Sequence, residues 1–223
     1  MTEAEWQASE DTDELIAWVL PRAGQHEMAL FAAACCRRCW GLLAAKESRD
    51  AVQVAERFAD GGADHWQCGE AVSAARKAAE AVSLRVARRK LTPAHQAAAD
   101  AVLAGMNHIN PASLQLMSRD VSVALGEPSP NAHHARLLRD VCDPFTPDAP
   151  ALAGRSGLVT GLARAAYRER LLPSGHLDPA RLAVLSDALE DADCTDAGLL
   201  GHLRGPGPHV RGCWALDLVL GQR

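Results

Sequence analysis

Two stretches of this 223-residue chain concentrate side chains that can do chemistry. The first is Gly205-Pro-Gly-Pro-His-Val-Arg-Gly-Cys-Trp, where a stiff Pro/Gly turn delivers His209, Arg211 and Cys213 to the start of an apolar helix. A helix N-terminus carries unpaired N–H groups and partial positive charge, so Gly205, Gly207, His209 and Arg211 form a candidate cradle for a phosphate or carboxylate. A small enzyme or ligand-binding protein would use the Gly205–Gly212 turn in this way, with His209 as acid or base and Cys213 or Cys36 as nucleophile or ligand. The plainer reading is a turn that docks the last helix, with Arg211 paired to Asp217.

The second stretch is Cys35-Cys36-Arg37-Arg38-Cys39-Trp40. Cys36 and Cys39 have the spacing of metal or redox thiols, and the two guanidinium groups between them favour thiolate. A thioredoxin-like role also needs a βαβ pattern, which the sequence lacks. Cys35 and Cys39 share a stripe with Phe31 and Leu42, where cysteine serves equally well as a small hydrophobe. Joined to His209 and Cys213, which are one helical turn apart, Cys36 and Cys39 give a Cys3His set suited to Zn2+. Such a site would staple the last helix to an early one, and Cys68, Cys194 and His202 are alternative ligands. Four protein ligands would make it structural, whereas three would leave a position for water and catalysis.

Asp187, Glu190 and Asp191 lie on one helix face and, with His202 or His209, offer a harder metal site. Charged faces are more often simply solvated, and Asp193 or Thr195 can cap the next helix. Glu56 with Asp60, and His133-His134, are weaker pairs. Arg85 to Lys90 is a basic cluster that a helix C-terminus already explains, so nucleic acid is not the expected partner. The Walker P-loop, Rossmann glycine fingerprint, His-Glu-x-x-His and Gly-x-Ser-x-Gly motifs are absent.

The elements that must position these residues read as helices. Apolar residues recur at three- and four-residue steps over Asp11–Leu20, Glu27–Lys46, Ser48–Asp60 and Glu70–Lys90, the last with a seam of small residues. Helical patterns continue over Pro93–Ala104, Pro111–Leu125, Asn131–Val141, Ala151–Leu172, Asp178–Asp191 and about Val210–Leu220. Five of the twelve prolines fall between Pro128 and Pro150, marking Pro-rich connections near 126–131 and 143–150. With 48% hydrophobic but only 4% aromatic residues, alanine supplies the apolar mass, which favours close-packed helices. The expectation is a single all-α domain over residues 1–223, with about nine or ten helices and the final one packed on Glu27–Lys46.

A net charge of −5 creates no field for polyanions. The longest uncharged apolar stretch, Ala29–Cys36, is far short of a membrane span, and the acidic N-terminus is unlike a secretory signal. Seven cysteines, two of them adjacent, do not suggest a disulfide framework. A cytoplasmic protein is expected.

Three segments carry a resemblance: Cys-Cys-Arg-Arg-x-Trp at 35–40, Val-Ala-Glu-Arg-Phe-Ala-Asp-Gly at 54–61, and Asp-Ala-Leu-Glu-Asp-Ala-x-Cys-Thr-Asp at 187–196. With Thr2–Trp6 and the Arg-Gly-Pro-Gly-Pro-His-Val-Arg-Gly-Cys-Trp-x-x-Asp-x-x-Leu-Gly signature at 204–221, the chain resembles a family abundant in Gemmata-group planctomycetes and found in other high-GC bacteria. The resemblance implies a lineage and no activity. Its pattern does not call for cysteine at position 39, which favours Cys36, His209 and Cys213 as ligands. Two functional classes follow: a helical protein-binding module or homo-oligomer with a Cys/His zinc site, and a small enzyme acting at the Gly205–Gly212 turn.

Overall fold

Capping side chains mark where the helices begin. Thr2, Asp64 and Asn110 each close a capping box with the residue three positions on, while Asp11, Asp178 and Asp196 accept backbone N–H groups at three further starts. The computed structural model describes residues 1–107, 109–128, 132–145 and 157–222. These hold twelve α-helices: α1 Glu3–Ala8, α2 Thr12–Val19, α3 Gln25–Arg38, α4 Lys46–Ala59, α5 His65–Ala87, α6 Pro93–Asn107, α7 Pro111–Leu125, α8 Ala132–Val141, α9 Gly157–Arg168, α10 Pro179–Asp191, α11 Ala197–Arg204 and α12 Trp214–Leu220. Among the described residues no strand forms, and two isolated bridges join Leu171 to His176 and His176 to Val210. No described helix is long and apolar enough to cross a membrane.

The all-α class is as expected, but there are twelve helices where periodicity gave nine or ten. The additional ones are the short helices α1 and α11. The helix expected to reach Lys46 ends at Arg38, because Cys39 leaves helical geometry and Trp40–Leu42 forms one 3-10 turn before α4. The last helix starts at Trp214 and not Val210, since Gly212 turns the chain at φ 86° just before it. Residues 129–131 and 146–156, which carry much of the expected proline-rich connections and the start of the Ala151–Leu172 helix, lie outside the described residues.

Contacts divide the chain into two compact units, Met1–Leu138 and Arg139–Arg223. In the first, α3 is buried on every face from Met28 to Arg37, not along one stripe. Its alanines at 29, 32, 33 and 34 let α4, α6 and α7 approach it together. Gly105 on α6 is part of that fit, as a Cβ there would stand 2.9 Å from Met117 Cγ and 3.3 Å from Ala32 Cβ. Arg37 is accommodated in this core by donating to both oxygens of Glu56, at 2.5 and 2.7 Å.

In the second unit, α9 packs on α10 and α12, and α11 on α10 and α12, around Val159, Ala163, Leu182, Leu185, Leu199 and Trp214. The segment between α9 and α10 steadies the Pro/Gly turn: Leu177 N–H donates to His209 O at 2.8 Å, beside the His176–Val210 bridge. Tyr167 on α9 donates to Asp217 Oδ1 at 2.6 Å and to Cys213 O at 3.3 Å, which fixes the entry to α12.

Candidate metal centre

Within the second unit, three elements aim donor atoms at one point. Asp140 comes from the last turn of α8, His202 from α11, and His209 and Cys213 from the turn before α12. One ligand atom from each lies within 4.8 Å of the other three. Asp140 Oδ1 is 2.8 Å from His209 Nδ1 and 3.1 Å from His202 Nε2, and His202 Nε2 is 3.2 Å from Cys213 Sγ. Asp140, His209 and Cys213 are buried, and the His202 side chain is 20% exposed.

The atoms facing away from this point are also engaged. Val210 N–H donates to Asp140 Oδ2 at 2.7 Å, which turns Oδ1 inward. His209 Nε2–H donates to Gly205 O at 3.2 Å, so the other nitrogen is the one presented to the cluster. The His202 ring contacts both the His209 and Trp214 rings, with centroids 4.8 and 4.7 Å away. Backbone N–H groups of Leu216 and Ala215 point at the Cys213 sulfur and favour its thiolate.

The titration of the group follows its burial and its hydrogen bonds. Burial alone pushes Asp140 up, yet hydrogen bonds from His202 and His209 outweigh it and hold the carboxyl below its usual range. Burial likewise pushes His209 down, and Asp140 and Gly205 O more than reverse this. Burial, then the Asp140 charge, drives the Cys213 thiol well up. A divalent cation with one carboxylate, one thiolate and two neutral imidazoles sums to zero charge, which removes the cost of burying the anions. Tetrahedral zinc separates its ligand atoms by about 3.3–3.7 Å, given Zn–N near 2.0 Å and Zn–S near 2.3 Å. Three of the donor separations, 2.8, 3.1 and 3.2 Å, fall just short of that, and all lie within 4.8 Å. The cluster can hold a metal ion.

The expected site residues are distributed as follows. His209 and Cys213 belong to the cluster, and of the alternative ligands His202 does too. Cys36 and Cys39 lie in the first unit, outside the cluster, where they are fully buried with Cys35. Burial raises all three thiols, Cys39 to about 11, and Cys39 Sγ donates to Cys36 O at 3.2 Å. Cys194 is buried in the apolar core of the second unit, and Cys68 is half-buried on α5. The Pro/Gly turn does receive an anion, but it is the chain's own Asp140, held by His209 and the Val210 N–H. The Arg211 guanidinium lies 5.9 Å over the Tyr167 ring, and Asp217 accepts from the Tyr167 hydroxyl. The acidic face on α10 is tied down by Arg204, which bonds Asp187 and Glu190, while Asp196 caps α11.

Sequence reasoning missed Asp140. The available signal was an acid inside the apolar run Leu137-Leu138-Arg-Asp-Val-Cys, on a face where burial demands a partner. In the first unit, Ser118 Oγ lies 2.8 Å from His134 Nδ1. Arg38 donates to His134 Nε2 at 2.7 Å, so Nδ1 carries the proton and donates to the serine, which is therefore not activated as a nucleophile. No family model, curated protein or solved structure matches this chain.

Proposed function

We propose that Asp140, His202, His209 and Cys213 bind Zn2+, and that the unit containing them is a zinc-clasped helical module of a cytoplasmic, protein-binding protein. The observation carrying this reading is the convergence of four donor atoms, with the outward atoms of Asp140 and His209 already hydrogen-bonded. Sulfur and imidazole donors favour zinc over magnesium or calcium, and four protein ligands in a buried site leave no position for a reacting water. A structural role fits better than catalysis for that reason, and because His209 and the Val210 N–H are committed to Asp140. The partner reading is supported by Leu158, Leu171, Leu172 and Val184, large apolar side chains of the same unit that stay exposed.

The test is elemental analysis of tag-free protein purified without chelator, repeated on Cys213→Ala, His209→Ala and Cys36→Ala. About one zinc per chain is expected in the wild type and in Cys36→Ala, with loss in the other two. Cobalt substitution adds a sulfur-to-metal charge-transfer band that Cys213→Ser removes. Folded, metal-free wild-type protein overturns the reading, and loss of zinc in Cys36→Ala overturns the ligand assignment.

A further inference from the structure

The first unit contains a cavity of about 360 Å³ walled by α3, α4, α5 and the end of α6. Its floor is alanine and glycine, including Ala29 and Ala51, and one wall carries the paired rings of Phe58 and His65, 4.8 Å apart. The size falls within the roughly 300–1,000 Å³ of small-molecule sites. No Asp, Glu, Lys or Arg is among its described lining residues, and Gln25, His65 and Asn107 supply the hydrogen-bonding side chains. An ion would find no carboxylate, lysine or arginine among these residues to pair with.

Two glycines line this cavity for different reasons. Gly105 is required by packing against Met117 and Ala32. Gly69, in the interior of α5, is not: a Cβ there would meet no atom within 4 Å. Glycine is a poor helix former, and at this exposed position on the rim of the cavity no packing contact requires it.

We propose that this cavity binds a neutral small molecule with an apolar body about one or two rings in size and a single hydrogen-bonding group. The body lies against Phe58 and the alanine floor, and the polar group meets Gln25, His65 or Asn107 near the mouth. Cys68, a half-buried free thiol on the same wall, reports occupancy. The cavity belongs to the first unit and the candidate metal cluster to the second.

The test uses the full chain and the neutral fluorophore N-phenyl-naphthylamine, with anilinonaphthalene sulfonate as its charged counterpart. Expected are saturable binding at about one site per chain, slower alkylation of Cys68 by iodoacetamide, and weaker binding of the sulfonate. Gly69→Leu should weaken the neutral probe by about tenfold or more while melting no lower than wild type, since leucine is the better helix former. Ala55→Leu fills the same space from α4 and serves as the second variant. Non-saturable binding, equal affinity in both filled variants, or unprotected Cys68 overturns the proposal. So does a wild-type dimer that Gly69→Leu dissociates, which would make a second copy the occupant.

Discussion

At His134 the fold holds an imidazole where it cannot take a proton. Burial, the Arg38 guanidinium and neighbouring His133 lower its pKa to about 3, against a smaller opposing effect of Glu127. An unfolded histidine titrates near 6.5, so below that pH the unfolded chain binds a proton that the folded chain refuses. The contribution of His134 is therefore fully present above about pH 6.5 and is lost as pH falls toward 3, by about 1.4 kcal/mol per pH unit. Urea unfolding between about pH 7 and pH 4 should show the wild type losing stability faster than His134→Gln by the slope of one proton. Parallel pH profiles would remove this account. The residue scale is also where the sequence was least transparent. His209 and Cys213 were readable because they stand together one helical turn apart in a Pro/Gly turn, whereas Asp140 sits far away in the chain on an ordinary amphipathic helix. Cys36 and Cys39 have ligand spacing, but spacing does not distinguish a thiol that binds metal from one that fills a core.

At the scale of elements, the 205–213 turn determines whether the donors meet. Gly207 has φ 78°, and a Cβ there would stand 2.7 Å from His209 N and 3.2 Å from its ring Cδ2. Gly207→Ala therefore adds a clash with a ligand to the strain of left-handed backbone. Metal affinity should fall by about 10–100-fold, as for other changes that misorient a ligating histidine. A chelating-dye competition titration measures this. Gly126, at the C-terminus of α7, has φ 68° but open space around its Cβ position. Gly126→Ala should cost about 1–2 kcal/mol of stability and leave zinc affinity unchanged. Equal effects of the two changes on zinc would mean that backbone strain, not contact with His209, explains the first. The helices themselves were largely legible, since period and capping residues place α2, α4 to α7 and α10 within a few residues. The path of the turn was not, because it depends on long-range contacts from Leu177, Tyr167 and Asp140.

At the scale of the whole molecule, composition gives no sign of where one unit ends. The boundary falls inside α8, whose Ala-His-His-Ala-Arg-Leu-Leu-Arg-Asp-Val sequence has neither proline nor glycine. Each unit has its own buried core, and among the described residues the cluster that could hold a metal ion belongs to the second. Calorimetry should accordingly resolve a zinc-dependent transition from a zinc-independent one. With free zinc a hundredfold above its dissociation constant, linkage contributes about 2.7 kcal/mol to the unit that binds it. For a unit of this size, that raises its midpoint by roughly 10–20 °C over the chelated protein. Cys213→Ala should melt at the chelated value whether or not zinc is added. Hydrogen exchange then assigns the transitions: chelator should release protection in α9 to α12 and leave α3, α6 and α7 protected. If α3 loses protection as readily as α12, the metal stabilises more than its own unit, and the two cores unfold as one cooperative structure.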